Sequence, residues 1–177
     1  MFSLTHAEIE GYLQIEKFVE TLRRYVPGFE QCYISQIYPT MGVRESRRFK
    51  GMAELTEQDV TAGKIDENAI GIGSYIVDIH MGDGSGTIVK KIPAYGLPYG
   101  MTVSAEIEAL MFAERCASMD AVALSSARVM PICMAMGEGA GVGAALAVRQ
   151  GISPRDVSVK EVREILLQRN VLLDVEK

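Results

Sequence analysis

The chain is poor in the residues that build metal centres. It has only two histidines, His6 and His80, so a multi-histidine centre is excluded. Cys32, Cys116 and Cys133 are an odd set, far apart and without a C-x-x-C pair. That excludes a self-contained zinc or iron–sulfur site and predicts a reducing compartment, the cytoplasm. Each cysteine reads as a small core residue. No apolar run approaches the roughly 20 residues that span a bilayer. The start, MFSLTHAEIEGY, carries acids and no basic segment, so it does not read as a signal peptide. Positive charge is also scarce. A net charge of −5 and a pI near 5.1 argue against a nucleic-acid partner. One basic cluster exists, Arg44, Arg47, Arg48 and Lys50, too short for a nucleic-acid arm and better suited to a single anionic ligand. Internal repeats, low-complexity tracts and flexible linkers are missing.

What remains describes one unit with a core. The 177 residues are 48% hydrophobic and 23% charged, ordinary for a globular domain of mixed α and β type. Thr5 and Glu8 form a capping-box pattern, and Ile9, Leu13, Val19, Leu22 and Val26 follow at helical spacing. This predicts a long helix, packed on one face and stopped by Pro27-Gly28. Residues 32–38 read as a short strand, and 56–60 as a capped helical turn ending near Gly63. Residues 70–80 read as a strand bounded by glycines. MGDGSG at 81–86 is a turn by composition, and 87–92 its return strand. PAYGLPYG reads as an ordered loop, 107–113 as an apolar strand, and 120–127 is ambiguous. Pro131 opens a helix to Gln150 with Gly151 as its C′ residue. Pro154 opens a further helical segment, in which Ser158 and Glu161 repeat the capping-box pattern.

The stretch RVMPICMAMGEGAGVGAALAV, residues 128–148, is the most informative. Its glycines and alanines leave one flank of a helix almost without side chains. Such a flank suits close packing on a neighbouring element or close approach to a cofactor. The helix start near Arg128, Met130, Pro131 and Cys133 carries unpaired N–H groups and the positive dipole end. Gly139, Gly141 and Ala144 match G-x-G-x-x-A, but a Pro-initiated helix precedes them where the dinucleotide fingerprint needs a strand. Only 33 residues follow, too few for the rest of that unit. Asp78 and His80 are two apart on a strand and share a face. They form either an acid–base pair or a solvated strand end. In RESRR, strand alternation puts Arg44 and Ser46 on one face, Glu45 and Arg47 on the other. The set is either a carboxylate clamp or an ion-pair network.

The pieces VPGFEQCYI, GVRESRRFKG, LTEQDV, YIVDIH, IPAYGLPYG, FAERCAS, RVMPICMAMGEGAGVGAALAV and QGISPRDVSV run through nearly the whole chain. In this order they resemble the C-terminal part of the FAD-dependent oxidoreductases related to the flavin subunit of heterodisulfide reductase. The resemblance implies a mixed α/β fragment without the N-terminal Gly-rich βαβ unit that holds the FAD pyrophosphate. Residues 1–106 would be part of a substrate-side region, and 107–177 the last strand and helices of the Rossmann-like FAD domain. It implies FAD as cofactor, with binding by the fragment alone in question, a small-molecule substrate, and no metal or cluster. The start of the 131–150 helix would face the flavin ring, with Met130, Pro131, Cys133 and Gly137 on the cofactor side and Cys133 read as packing. Arg44 would orient substrate, His80 move protons and Arg128 stabilise reduced flavin. Arg115 matches the family's R-C element near the FAD phosphates, whereas Glu114 stands where the family has glycine. Gly100 stands where the family's Y-x-I-P-Y-R has arginine. These departures leave a second reading: a non-catalytic remnant or assembly module that pairs with a flavin-bearing chain or with itself through an exposed apolar face.

Overall fold

The first helix, α1 (Phe2–Tyr25), begins three residues ahead of the Thr5–Glu8 pattern, so Thr5 lies inside the helix and caps nothing. The computed structural model describes residues 2–81 and 85–175, in two compact units, Met1–Val43 and Arg44–Lys177. In the first unit the helix ends where expected, before Pro27 and Gly28, the latter at φ +90°. Arg23 then donates through Nε and Nη2 to Cys32 O at 2.9 and 2.7 Å, tying the helix end to the segment that follows. That segment, 32–38, joins no ladder, so the predicted strand does not form. The predicted packed face is also corrected. Ile9, Leu13, Phe18 and Tyr25 are exposed, and no described side chain of α1 is buried. Within its own unit the helix meets residues 37–41 across a cleft that Tyr12 and Ile15 line, which leaves much of its apolar surface open.

The second unit opens with the capped turn that LTEQDV predicts. Helix α2 (Glu57–Ala62) is held by a full capping box between Thr56 and Asp59, and Gly63 closes it in the left-handed conformation. The predicted 70–80 strand is two strands serving two sheets. Strand β1 (Ala69–Gly73) pairs antiparallel with β4 (Tyr95–Pro98), and β2 (Val77–His80) with β3 (Thr87–Lys90), His80 opposite Thr87. Met81 N–H donates to Gly86 O at 2.9 Å across the 81–86 turn, whose residues 82–84 lie outside the described residues.

PAYGLPYG is not a loop. It supplies β4 and a 3₁₀ turn (Tyr99–Thr102), burying Tyr95, Leu97 and Tyr99. Its glycine marks a close approach within a strand: a Cβ on Gly96 would sit 2.9 Å from Ala69 Cβ. The apolar stretch 107–113 does not form one strand: residues 107–109 turn, and 110–112 run beside 102–104. The Ser104 hydroxyl accepts from Glu106 N–H and Ile107 N–H at 3.3 and 2.9 Å, a local bond that competes with a strand. Only an isolated bridge, Val103 to Met111, remains there.

Residues 120–127 resolve into α3 (Ala121–Ala127), N-capped by Asp120. This aspartate also accepts from Glu57 N–H at 2.5 Å and so serves the starts of two helices. Helix α4 (Met130–Gln150) has proline in its first turn and Gly151 as its left-handed C-cap, as its sequence predicts. At 21 residues it is long and apolar enough to cross a membrane by length and composition, which the count of apolar runs missed. Here it joins the two parts of the core. Met136 packs with Leu55, Leu97 and Leu124, while Leu146 packs with Ile70, Tyr99 and Leu166. Helix α5 (Val159–Gln168) follows a 3₁₀ turn (Pro154–Asp156). The capping box expected at Ser158 does not form. Its hydroxyl caps nothing, and Glu161 instead accepts from Gln150 Nε2 at 2.6 Å.

Candidate functional site

Two glycine ridges run along α4, and they do different things. A Cβ on Gly139 would lie 2.5 Å from Ile70 Cδ1, and one on Gly143 would lie 2.5 Å from Tyr99 Cε2, so this ridge is pressed onto β1 and the 99–102 turn. A Cβ on Gly137 or Gly141 would meet nothing within 4 Å. Met130 and Met134, on the same side as this second ridge, are 80% and 74% exposed. The two uses of a small-residue flank, close packing and open approach, are thus divided between alternate glycines. No side chain caps the start of α4, so its positive dipole end is left to other groups.

Immediately before α4 lies a cleft of about 170 Å³, lined by Arg44, Tyr75, Asp78, Arg115, Ser125, Arg128 and Val129. Arg128 is half-buried at the end of α3, and its Nη2 donates to Asp78 O at 2.8 Å. This backbone bond, rather than a surface salt bridge, fixes its guanidinium. Arg44 Nη1 lies 4.0 Å from Asp78 Oδ2, with half of its side chain exposed. His80 Nε2 is 3.4 Å from Asp78 Oδ1, and its Nδ1 shares a hydrogen bond with Thr87 Oγ1 at 3.2 Å. The β2–β3 pairing puts Thr87 directly across from His80. Asp78 therefore joins Arg44, His80 and Arg128 through three different atoms.

The segment that delivers Arg44 belongs to no strand. It is anchored further on, where Phe49 stacks on Phe112 with ring centroids 5.0 Å apart and Phe49 N–H donates to Cys116 O at 2.9 Å. Glu45 pairs with Arg48, and Arg44 takes no part in that pair.

Glu114 has φ +63°, in the left-handed region that glycine adopts freely. The glycine that the resemblance puts at this position thus has a backbone reason. Glu114 and Arg115 open a 3₁₀ turn (Glu114–Cys116) and bear electrostatically on Cys133. Burial pushes the Cys133 thiol up from its ordinary value, the Glu114 carboxylate adds to this, and Arg115 opposes it. Cys133 Sγ reaches Ala127 O at 3.7 Å. A buried, protonated thiol with a carbonyl partner is a packing residue. Gly100 is equally specific. A Cβ there would lie 2.9 Å from Ala53 Cβ, and Gly100 O accepts from Ala53 N–H at 3.2 Å. An arginine has no room at 100 while the 51–53 segment lies there.

Of the residues singled out in the sequence, Arg44, Arg115 and Arg128 meet in one cleft, and His80 joins them through Asp78. Met130 and Pro131 follow directly and are exposed, Cys133 is buried, and Gly137 lies on the open ridge. Tyr75 and Ser125 carried no sequence signal as lining residues. Tyr95 and Tyr99 are core residues. Burial raises both phenols to about 12, and their hydroxyls bond Ser126 Oγ and Pro154 O at 2.8 and 2.9 Å. A larger cleft of about 330 Å³ is lined by Lys64, Tyr99 and Arg155, whose buried Nε has no hydrogen-bond partner among the described residues. Its Lys64 pairs with Asp59 at 3.3 Å and Asp66 at 3.6 Å.

A family model described as FAD dependent oxidoreductase matches residues 1–166. No curated protein and no solved structure matches the chain. With the match covering all of α1 to α4 and most of α5, the chain belongs to the FAD dependent oxidoreductase family.

Proposed function

We propose that this chain is the substrate- and ring-side part of a flavin-dependent oxidoreductase, of the type related to the flavin subunit of heterodisulfide reductase. The order of GVRESRR, YIVDIH and RVMPICMAMGEGAG supports that closer relationship. The observation that carries the functional reading is a conjunction. An arginine-lined cleft with an Asp–His pair opens at the start of a helix whose Gly137–Gly141 ridge is bare. The residues fit the cofactor's ring end. A bare ridge permits close approach of a flat group, and fixed cations with a helix start suit negative charge. They do not supply a pyrophosphate cradle. The strands pair antiparallel and no βαβ unit occurs among the described residues, so those phosphates need residues from elsewhere.

FAD, when bound, supplies the carrier for hydride or electron-pair transfer. The chain's own residues do the rest. Arg128, held by Asp78 O, keeps a cation beside the start of α4. Arg44 orients the substrate. His80 holds or releases a proton at Nε2, with the Asp78 carboxylate as partner. Met130, Pro131 and Gly137 shape the apolar wall, Cys133 packs behind it, and Glu114 and Arg115 set the charge at its edge. Titration of the purified chain with FAD, followed by flavin fluorescence and visible absorption, tests this reading. Saturable quenching with a shifted band is expected, and a folded chain that leaves both unchanged would overturn it.

One observation favours a second reading, the assembly module. Leu4, Ile9, Leu13 and Phe18 of α1 are between 45% and 63% exposed, Ile9 and Leu13 on one side of the helix and Leu4 and Phe18 on the other, apolar surface that association would cover. Sedimentation velocity separates the two. A stable oligomer with no flavin binding supports the module, and a flavin-binding monomer eliminates it.

A further inference from the structure

We propose that the cleft of about 330 Å³ beside Tyr99 is a second small-molecule site. It takes an amino acid with an apolar side chain, held by its carboxylate on Arg155 and by its ammonium on Glu54. The cleft shares no lining residue with the arginine-lined one at the start of α4, and the proposal does not rest on the flavin reading.

Charge makes the first argument. Glu54, Asp59, Lys64, Asp66 and Arg155 line the cleft. Three of them satisfy one another. Lys64 stands between Asp59 and Asp66, at 3.3 and 3.6 Å. Both of these acids are bonded again, Asp59 in its capping box with Thr56 and Asp66 to Asn68 N–H at 2.9 Å. Glu54 and Arg155 have no ionic partner among the described residues. One acid and one base of the lining are thus left over.

Arg155 lacks more than a carboxylate. Its Nε is buried without a hydrogen-bond partner, and its Nη2 donates to Ser104 O at a long 3.4 Å. Buried polar atoms are nearly always bonded, so an orphan among them points to a partner that the chain does not itself supply. For a guanidinium the fitting partner is a planar oxyanion, gripped by two N–H groups of the fork. The Ser104 bond is a weak tether, and its release frees the fork to meet a carboxylate in the cleft.

The acids decide against a ligand that is only an anion. Three carboxylates and two cations leave the lining with an excess of negative charge, which opposes a bare anion. A ligand that carries an ammonium as well as a carboxylate meets both leftover groups and leaves the Lys64 cluster intact. The backbone that presents each group is fixed. On either side of Glu54, Ala53 N–H donates to Gly100 O at 3.2 Å and Leu55 N–H to Ser118 O at 3.0 Å. Just before Arg155, Pro154 O accepts from the Tyr99 hydroxyl at 2.9 Å. Met52, Leu55, Pro98, Val157 and Val159 complete the lining and suit an apolar side chain.

The test is calorimetric titration of the full chain, without FAD, by three compounds of similar shape. L-Leucine carries both charges, 4-methylpentanoate lacks the ammonium, and 3-methylbutylamine lacks the carboxylate. Leucine is expected to bind saturably, and each singly charged compound at least about tenfold more weakly. The variants should act crosswise. Arg155→Gln should bring leucine down to the level of the amine, and Glu54→Gln down to that of the acid. Glu54 has no bond to lose, so Glu54→Gln should melt as the wild type does, and it keeps the test open should Arg155→Gln fold poorly. Equal binding of 4-methylpentanoate and leucine would make the cleft a plain anion site and overturn the proposal. Equal binding of 3-methylbutylamine and leucine would remove Arg155 from it, with the same consequence. Leucine binding that survives unchanged in folded variants, or no leucine binding by the folded wild type, would also overturn it.

Discussion

Replacing Gly143 by alanine is expected to destabilise the Arg44–Lys177 unit, whereas the same change two positions earlier, at Gly141, is expected to stabilise it. Both glycines lie inside α4, where alanine is favoured over glycine by about 1 kcal/mol. At Gly141 a new Cβ meets nothing within 4 Å, so that gain stands. At Gly143 the new Cβ lies 2.5 Å from Tyr99 Cε2 and 2.6 Å from its hydroxyl. Tyr99 is 4% exposed and its hydroxyl donates to Pro154 O at 2.9 Å, so the ring cannot swing aside freely. Overpacking of this kind costs about 1–3 kcal/mol, and loss of the buried hydrogen bond about 1 kcal/mol more. The propensity gain offsets only part of this, leaving Gly143→Ala less stable by about 1–3 kcal/mol. Urea unfolding followed by circular dichroism measures both, as opposite midpoint shifts at constant slope. Equal stability of the two variants would refute the division of α4 into a packed and an open ridge.

Three further outcomes follow from the same geometry. Glu114→Gly should raise stability by about 0.5–1 kcal/mol, because relief of a left-handed side-chain residue outweighs the added freedom of the unfolded chain; a lowered melting temperature would contradict it. Burial alone would raise the Asp59 carboxyl, but bonds from the Thr56 hydroxyl and N–H and the charge of Lys64 hold it below the ordinary carboxylate value. A lowered carboxyl stabilises the fold above its unfolded-state pKa and ceases to do so as pH falls through the lowered value. Melting curves from neutral to acid pH should show that loss in the wild type and not in Asp59→Asn, which starts about 1 kcal/mol less stable at neutral pH. Cys133, buried and with its thiol raised, should react with a thiol reagent near neutral pH far more slowly than the more accessible Cys32, as peptide mapping of the labelled chain would reveal.

Local grammar was legible and distant convergence was not. Thr56 with Asp59, Gly63, Pro131 and Gly151 mark helix ends by rules acting within a few residues, and the structure places a helix end at each. The errors arose where a local signal met a longer-range partner. Glycines at 96 and 100 read as loop residues because their bulkless flanks are filled by Ala69 and Ala53, which the sequence does not place beside them. Residues 107–113 are apolar enough for a strand, but the Ser104 hydroxyl turns their backbone. The stripe of α1 has a helical period, and periodicity does not say whether a second layer covers it. At the site, Asp78–His80 was visible because two residues apart on a strand means one face. The meeting of Arg44, Arg115 and Arg128 was invisible, since it depends on the split between β1 and β2 and on the turn before α3.

The most direct test is FAD titration of the wild-type chain beside Gly137→Leu. That substitution fills the open ridge of α4, where a Cβ meets nothing, and so leaves the packed face untouched. The account predicts saturable quenching of flavin fluorescence by the wild type and at least about tenfold weaker binding by the variant, with both chains equally folded. A folded wild type that does not bind FAD, or a variant that binds it equally well, would contradict the assignment of that ridge to the flavin.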